Sequence, residues 1–281
     1  MGFAEDAALP FVPPDWHVKA AAMFDFPASF NAGILWQNDN GALALWQMDG
    51  ASVAAIRALP NPGPTWRVVG DNDFNNDAAD DILFQNDNGA LAIWTMHGPT
   101  VSGMFLGTQN PGPTWHVVGT GDTSGVFDSP AGILWQHDSG ALVLWENPTF
   151  AAGTFAFNSN AALPTVDASW HVKGMQDING DFVSDIVFQN DNGAVVIWEM
   201  KNGATINAAR LVNLNPGPTW HIVGLRDMDD DRGIDILFQN DNGSAAVWED
   251  YLALGSGAAA FNTVLPITPN PNPNGHVWDL L

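Results

Sequence analysis

The sequence contains no cysteine among its 281 residues, which excludes disulfides, cysteine-ligated zinc or iron–sulfur sites and thiol nucleophiles. Basic residues are scarce as well, with 8 Lys+Arg against 31 Asp+Glu and a formal net charge of −23. Phosphate would repel such an acidic chain, so we expect no binding to nucleic acid or to anionic membranes. No apolar run reaches the roughly 18 residues that a membrane span requires, so we expect no membrane insertion.

The acidic residues are almost all aspartate, because glutamate occurs only at positions 5, 146, 199 and 249. Aspartate favours turns, helix caps and hard-metal sites, whereas a solvated helical protein would favour glutamate. With 28 Gly, 19 Pro and 46% hydrophobic residues, the composition is typical of short strands joined by tight turns around a buried core. Residues 1–10 lack the charged and apolar regions of a secretion signal, so we expect any such signal to be absent or trimmed.

Five segments repeat along the chain. In each the Trp lies 12 positions after the Ile, as in Ile82–Trp94 (ILFQNDNGALAIW), and the others span 34–46, 133–145, 186–198 and 236–248. An upstream motif, Trp-His/Arg-Val/Ile, begins at residues that lie 50, 49, 55 and 50 positions apart: Trp16, Trp66, Trp115, Trp170 and Trp220. A period near 50 residues with strand-like content is typical of β-propeller blades.

Each repeat contains four predicted strands. Apolar residues alternate at period two around Asn-Asp-Asn-Gly, which predicts a β-hairpin with a type I′ Asn-Gly turn. The Trp motif predicts a strand before the hairpin, and Thr100–Leu106 is typical of a fourth strand after it. We therefore expect an all-β fold, a single five-bladed β-propeller domain of four-stranded antiparallel blades over residues 1–281, with repeats at about 16–65, 66–114, 115–169, 170–219 and 220–281.

The chain ends suggest how a ring would close. Residues 270–278 (NPNPNGHVW) are similar to residues 215–223 (NPGPTWHIV), so a sixth copy begins near the C-terminus. We expect the N- and C-terminal segments to close the ring in one shared blade, which removes exposed sheet edges. An open array of separate blades is the weaker alternative, because a single blade cannot bury both of its faces.

An acidic loop precedes the hairpin in repeats two, four and five. Starting seven residues after the Trp, side-chain oxygens stand at positions one, three, five and nine, and position seven can add a backbone carbonyl. The candidate metal ligands are Asp73, Asn75, Asp77, Ala79 and Asp81 in repeat two, Asp177, Asn179, Asp181, Val183 and Asp185 in repeat four, and Asp227, Asp229, Asp231, Gly233 and Asp235 in repeat five.

These loops predict about three Ca²⁺ sites, because Ca²⁺ takes six to eight oxygens at about 2.3–2.6 Å, whereas Mg²⁺ requires a smaller octahedral cage. Position twelve is Phe in all three loops, so they are not EF-hands. The alternative is a polar turn with local Asx hydrogen bonds, although the ten clustered carboxylates would then repel one another. Repeats one and three carry Gly33 and Gly132 at position nine, and we expect no such site there.

The pattern Asp-x-Asn-x-Asp-x-x-x-Asp-Ile before a strand resembles the FG-GAP/VCBS repeats of extracellular β-propellers, including those of integrin α-chains. The resemblance implies Ca²⁺ in an outer loop of each blade, secretion or surface display, and adhesion or ligand binding. The family's Gly after position five is replaced by Ala78, Phe182 and Arg232. The hairpins with a terminal Trp are also similar to tachylectin- and tectonin-type lectin propellers.

Recurring Gln and Trp residues suggest glycan binding, since indole faces stack on sugar rings and amides bond hydroxyls. The candidates are Gln85, Trp94, Gln136, Trp145, Gln189, Trp198, Gln239 and Trp248. The alternative is that these residues pack blade on blade, as repeated residues commonly do. The His that follows the motif Trp is likewise expected to be a hydrogen-bonding element of the blade rather than a catalyst.

No catalytic motif is present, so we expect a protein that is not an enzyme. The sequence predicts a calcium-binding propeller, secreted or displayed on the cell surface, that acts as a lectin-like adhesion module for a glycan or a cell-surface partner. A polysaccharide-acting lyase or glycosidase, or a protein–protein interaction scaffold, are the alternatives, because a fold does not determine function.

Overall fold

The computed structural model describes residues 10–24, 33–49, 52–126, 129–227, 233–254 and 257–267. These residues form twenty β-strands, which group along the chain into five units of four antiparallel strands each. Within this described part of the chain, no helix has the length and apolar character of a membrane span. The predicted all-β fold of repeated four-stranded antiparallel sheets is confirmed.

The strand bounds follow the sequence repeats. Unit one contains β1 (Trp16–Ala22), β2 (Gly33–Asn38), β3 (Leu43–Asp49) and β4 (Ser52–Leu59), and unit two contains β5 (Trp66–Asn72), β6 (Asp81–Asn86), β7 (Leu91–His97) and β8 (Thr100–Gly107). Unit three contains β9 (Trp115–Gly121), β10 (Gly132–His137), β11 (Leu142–Ala151) and β12 (Thr154–Leu163). Unit four contains β13 (Trp170–Gln176), β14 (Asp185–Asn190), β15 (Val195–Asn202) and β16 (Thr205–Val212), and unit five contains β17 (Trp220–Arg226), β18 (Asp235–Asn240), β19 (Ala245–Leu254) and β20 (Ala258–Ile267).

The repeated segment from Ile to Trp forms the central hairpin of every unit, with the Ile paired to the Trp, as in Ile82 opposite Trp94. The turn differs from the expected type I′. The Asn86 carbonyl accepts a hydrogen bond from Gly89 N–H at 2.8 Å, and only Gly89 in this turn has a positive φ, 91°. The loop is therefore a type I turn followed by a left-handed Gly, which Asn86 favours because its side chain accepts the N–H of Asn88 at 3.2 Å.

The first strands of the five units lie side by side, since β1 contacts β5, β5 contacts β9, β9 contacts β13 and β13 contacts β17. Glycines on these strands permit the close approach. A Cβ on Gly119 would lie 2.9 Å from the Met175 side chain, and one on Gly70 would lie 2.8 Å from Thr120. Unit five reaches unit one through Arg226, whose Nη1 donates to the Ala21 carbonyl at 2.6 Å.

The hydrophobic core lies within and between neighbouring units. One cluster joins Leu35 and Leu45 of unit one to Ile82 and Phe84 of unit two, and all four side chains are buried. Comparable clusters join units two and three, three and four, and four and five. Because each unit covers the face of the next, burial of the sheet faces requires neighbouring copies of the repeat.

The outer strands are joined more extensively than the sequence predicts. The ends of β8 and β12 pair in parallel, as do those of β16 and β20, so units two and three share one eight-stranded sheet and units four and five share another. β12 and β20 have ten residues each, against eight in β4, β8 and β16, and the extra length brings them to the neighbouring unit. The C-terminal copy at 270–278 lies outside the described residues, so closure by the chain ends stays a prediction.

Candidate functional site

The first aspartate organises each described acidic loop. Asp73 Oδ1 accepts the backbone N–H groups of Asn76 at 2.6 Å and Asp77 at 3.2 Å, and its Oδ2 accepts that of Ala78 at 2.7 Å. Asp177 makes the equivalent three bonds in unit four at 2.8–3.0 Å. The local Asx bonding that we considered as the alternative to metal binding is therefore present in both loops.

The residues at positions three, five and seven of the loop form hydrogen bonds with one another. Asp77 N–H donates to Asn75 Oδ1 at 2.9 Å, Asn75 Nδ2 donates to Asp77 Oδ2 at 3.0 Å, and Ala79 N–H donates to Asp77 Oδ1 at 3.0 Å. In unit four, Asn179 and Asp181 accept the corresponding backbone bonds at 3.0 Å. These oxygens stand on the exposed side of the loop, where further ligands can reach them.

The aspartate at position nine is buried and bonds to two backbone amides. Asp81 Oδ2 accepts Phe74 N–H at 3.2 Å, and its Oδ1 accepts Met96 N–H from β7 at 2.9 Å. Asp185 accepts the equivalent two bonds in unit four at 3.2 and 2.8 Å. Both residues are 0% exposed, so this carboxyl group ties the loop to the third strand of its own sheet.

Burial makes the charged form of these carboxyl groups costly. It is the largest cause that raises the pKa of Asp81 to about 8, and the negative charges of Asp77 and Asp73 raise it further, while the two amide bonds lower it. For Asp185 the same causes raise the pKa to about 8. Burial also raises the pKa of Asp73, against three amide bonds. A proton or a cation is therefore required to neutralise each loop.

The remaining predicted ligands are placed as follows. The position-seven side chains of Ala79 and Val183 are buried, which leaves only their backbone carbonyl as a possible ligand. In repeat five, Asp229 and Asp231 lie outside the described residues, whereas Asp227, Gly233 and Asp235 lie within them. Asp235 begins β18 and is 1% exposed, like its counterparts in units two and four.

The described residues do not form a ready-made metal cage. Among them, no three acidic or histidine side chains are arranged to hold a metal ion. The oxygens of Asp73 and Asp81 face backbone N–H groups. The donor set suits Ca²⁺ in chemistry, since it consists of oxygens with excess negative charge, but its carboxyl groups would have to turn towards a common point.

Among its described residues, the loop of unit three has no buried aspartate. Asp122 Oδ1 accepts bonds from Ser124 N–H at 2.8 Å and from the Ser129 hydroxyl at 2.7 Å, and the buried Thr123 hydroxyl donates to Glu146 at 2.6 Å. Position nine is Gly132, where a Cβ would lie 2.9 Å from the Trp145 carbonyl oxygen. In unit one, residues 25–32 of the loop lie outside the described part of the chain.

The recurring glutamines join neighbouring units. Gln85 Nε2 donates to the Trp115 carbonyl at 2.6 Å and its Oε1 accepts Val117 N–H at 3.3 Å, both in unit three. Gln189 makes the same pair of bonds to unit five at 2.7 and 3.0 Å. Gln239 is 3% exposed, and Gln136 forms no side-chain hydrogen bond with the described residues. The two amides with defined partners are thus occupied by backbone rather than exposed for a ligand.

The recurring tryptophans pack inside the sheets. Trp94 and Trp248 are buried and the other two candidates are partly buried. Each packs at a tilt against an aromatic ring of the preceding hairpin strand, with ring centroids 4.4–5.1 Å apart: Phe84 with Trp94, Trp135 with Trp145, Phe188 with Trp198, and Phe238 with Trp248. Such close aromatic pairs stabilise a core.

An exposed polar pair recurs in every unit, between the second residue of the first strand and the aspartate of the hairpin turn. The members are His17–Asp39 (2.9 Å), Arg67–Asp87 (3.0 Å), His116–Asp138 (2.7 Å), His171–Asp191 (2.7 Å) and His221–Asp241 (2.7 Å). The expectation that these histidines are hydrogen-bonding elements of the repeat is confirmed.

These pairs line clefts between neighbouring units. One cleft of about 60 Å³ is lined by His17 and Asp39 of unit one and by Trp66 of unit two. The next, of about 220 Å³, is lined by Asp87 of unit two and His116 of unit three, together with neighbouring residues. The same elements therefore form a polar cleft at two successive unit boundaries.

A larger cavity of about 750 Å³ lies at the centre of the five first strands, and every unit contributes to its wall. Sequence reasoning missed its polar residues, which include Asp71, Asp80, Thr120, Lys173, Gln176 and Arg226. The available signal was that the first strands share their opening Trp motif but end differently in each repeat: AAA, GDN, GTG, GMQ and GLR. Burial, followed by the charge of Asp80, raises the pKa of Asp71 to about 7, while Arg226 lowers it.

No protein-family model matches this chain, and no curated protein matches it significantly. Solved structures that are similar to it include Raptor from Chaetomium thermophilum, at 10% identity and a TM-score of 0.47, and the computationally designed Ika8 protein, at 12% identity and a TM-score of 0.40. The match covers 89% of this chain and 22% of Raptor, and 85% of this chain and 60% of Ika8.

Proposed function

We propose that this protein is a five-bladed, ring-closed β-propeller of the FG-GAP/VCBS type that acts outside the cell as a multivalent, non-catalytic glycan-binding module. The observation that carries the proposal is the polar cleft between units, built twice from the same positions, with its His–Asp or Arg–Asp pair present in all five units. Repetition of one small site suits a ligand that itself repeats, such as a glycan chain or a glycosylated surface.

The chemistry of the clefts favours sugar hydroxyls. In the cleft between units two and three, the imidazole of His116 and the carboxylate of Asp87 are exposed, so they can donate to and accept from a hydroxyl group. In the cleft between units one and two, the edge of Trp66 adds an apolar surface beside such groups. The clefts are smaller than the roughly 300–1,000 Å³ of typical small-molecule pockets, which favours a single terminal sugar.

We propose a structural role for Ca²⁺, bound at the acidic loops of units two, four and five. Support comes from the carboxyl groups themselves, since Asp73 and Asp77 raise the pKa of Asp81 through their charge, and a cation would relieve that repulsion. The loops lie at the opposite end of the first strands from the clefts, because Trp66 begins β5 and Asn72 ends it. Metal binding would thus stabilise the ring rather than contact the sugar.

A glycan array tests the binding function, with the wild type compared to Asp87→Ala, which removes one side of a cleft. The Arg67–Asp87 pair is exposed, so its loss should change the free energy of unfolding by less than about 1 kcal/mol. We expect weaker retention on the glycans that the wild type binds. Asp49→Ala, which removes the same charge from an exposed position outside both described clefts, serves as the matched control.

The array also separates the alternatives. Loss of binding in both variants, or in neither, would reject the cleft as the glycan site. Release of shortened glycan products would favour a polysaccharide-acting enzyme, and retention on protein surfaces alone would favour an interaction scaffold. Specific retention without turnover, reduced by Asp87→Ala alone, is the result that the proposal requires.

A further inference from the structure

The clefts recur at successive unit boundaries, whereas the central cavity is a single site to which all five units contribute. The five first strands share their opening residues, whereas their last three residues differ from unit to unit, and residues from each of these stretches line the cavity. The repeated clefts can bind several copies of one ligand group. The wall of the cavity carries a single, unrepeated arrangement of charges, which suits one ligand molecule. Its volume of about 750 Å³ lies within the roughly 300–1,000 Å³ of small-molecule sites.

One side of the cavity carries two carboxyl groups. Unit one contributes Ala21, Ala22 and Met23 here, and the small side chains of the two alanines leave space beside Asp71 and Asp80 of unit two. Asp80 Oδ2 accepts the Met23 N–H at 2.6 Å. The Asp71 carboxyl group accepts no hydrogen bond from any residue that the structure describes, although it faces the cavity.

Cationic groups stand elsewhere on the same wall. Lys173 of unit four is partly buried and lines the cavity, and its ammonium group has no hydrogen bond or ion pair within the described residues. Arg226 of unit five donates one N–H to the Ala21 carbonyl. The other N–H groups of its guanidinium can donate to a ligand. Polar and charged groups that are removed from bulk water are costly unless a partner satisfies them.

We propose that the central cavity binds one small zwitterion per chain, a molecule with a primary ammonium group and a carboxylate joined by a short aliphatic spacer. The ammonium group lies against Asp71 and Asp80, and the carboxylate accepts hydrogen bonds from Lys173. The carboxyl group of Asp71 and the ammonium group of Lys173 then both gain a hydrogen-bond partner from one ligand, without a change in net charge. The first-strand valines Val69, Val117 and Val118 give the spacer an apolar surface.

Isothermal titration calorimetry with matched probes tests this site. ε-Aminocaproate carries both charges, while caproate lacks the ammonium group and hexylamine lacks the carboxylate. We expect ε-aminocaproate to bind with a stoichiometry of one and a Kd of about 1 mM or lower, and each control to bind at least about tenfold more weakly. γ-Aminobutyrate, with a shorter spacer, measures the separation of the two charges. Absence of ε-aminocaproate binding, equal binding of caproate, or a stoichiometry near five would overturn the proposal.

Two variants locate the binding, and a third controls for the change in charge. Lys173→Met and Asp71→Asn keep the side-chain size, and each should weaken ε-aminocaproate binding at least about tenfold. Lys19 occupies the same position of its strand as Lys173 but lines the cleft between units one and two, so Lys19→Met should leave binding unchanged. Urea denaturation establishes that each variant is folded. Equal loss in the Lys19 and Lys173 variants, or full affinity in both cavity variants, would reject the site.

Discussion

Unit three and unit four use the same four-stranded plan but join the loop to the sheet in different ways. In unit four the loop is held by the buried carboxyl of Asp185, which bonds Ile178 and Met200 N–H. In unit three the equivalent position is Gly132, and the Thr123–Glu146 hydrogen bond lies in the same region. Among the described residues of unit three, no buried aspartate takes the place of Asp185.

The comparison of the two loops separates the anchoring of the loop to the sheet from the electrostatic cost of a buried carboxyl group. Both loops are anchored, yet among the described residues of the two loops, Asp185 of unit four is the one whose pKa burial raises to about 8. Asp181 and Asp177 raise it further. An aspartate that only accepted amide hydrogen bonds would be more stable without these charged neighbours, so we expect the cluster to bind a cation. Three experiments test whether the two loops differ in this way, and a fourth compares the joints between units.

Calcium should produce the largest difference. At a free Ca²⁺ concentration one hundred times Kd, each filled site raises the free energy of unfolding by about 2.7 kcal/mol, and three sites add to about 8 kcal/mol. Urea denaturation with Ca²⁺ and with EDTA measures this shift. Asp181→Ala should remove the contribution of one site, whereas Asp122→Ala in unit three should leave the calcium response intact. Identical unfolding curves in Ca²⁺ and EDTA would show that the acidic loops are polar turns only.

Removal of the buried carboxyl should be the next largest effect. Asp185→Ala leaves the N–H groups of Ile178 and Met200 without their acceptor, and we expect a loss of about 3 kcal/mol in the free energy of unfolding without metal. Thr123→Val removes one buried hydrogen bond from the unit-three loop and should cost about 1 kcal/mol. Equal losses in the two variants, measured by urea denaturation, would contradict the distinction between the loops.

The pH dependence of the metal-free protein follows from the raised pKa values. Such a carboxyl group has a pKa of about 8 in the folded protein and near 3.8 in the unfolded chain. Its contribution to the stability of the folded state is complete below pH 3.8 and is lost as the pH rises towards 8. We expect each of Asp81 and Asp185 to lower the free energy of unfolding in EDTA by about 2.5 kcal/mol between pH 5 and pH 7. Asp185→Asn should remove about half of this fall, and saturating Ca²⁺ should reverse the sign of the profile. A metal-free profile that rises with pH would refute the assignment.

Much of the fold follows from local sequence, because each hairpin needs only alternating residues around a Gly-containing turn. The Ile-to-Trp spacing predicts the pairing of Ile82 with Trp94 that the structure has. The turn type was wrong, since Asn86 directs a type I turn through its own side chain and only Gly89 has a positive φ. The joined outer strands depend on strand length and on the position of the next unit, which no local pattern contains.

The site is less predictable because one residue type serves several purposes. A glutamine in a strand can bind a sugar or a neighbouring backbone, and Gln85 contacts Trp115, which lies 30 residues away. An aspartate at position nine satisfies a metal or an amide with the same oxygen, as Asp81 shows. The cavity brings together Asp71 and Arg226 from opposite halves of the chain, which only the arrangement of units determines.

The smallest predicted effect concerns the joints between units. Gln189 is buried and makes two hydrogen bonds to unit five, whereas Gln136 of unit three makes none to the described residues of unit four. Gln189→Leu should therefore lower the free energy of unfolding by about 1.5 kcal/mol, because the Trp220 carbonyl and the Ile222 N–H lose their partner. Gln136→Leu should change it by less than about 0.5 kcal/mol.

Urea denaturation of the two variants measures the difference. Equal losses would mean that Gln136 joins units three and four as firmly as Gln189 joins units four and five. The difference between units three and four at this boundary would then lie in the loop, where backbone bonds from Ser184 to Asp122 and from Gly203 to Thr123, both 2.6 Å long, already tie unit three to its neighbour.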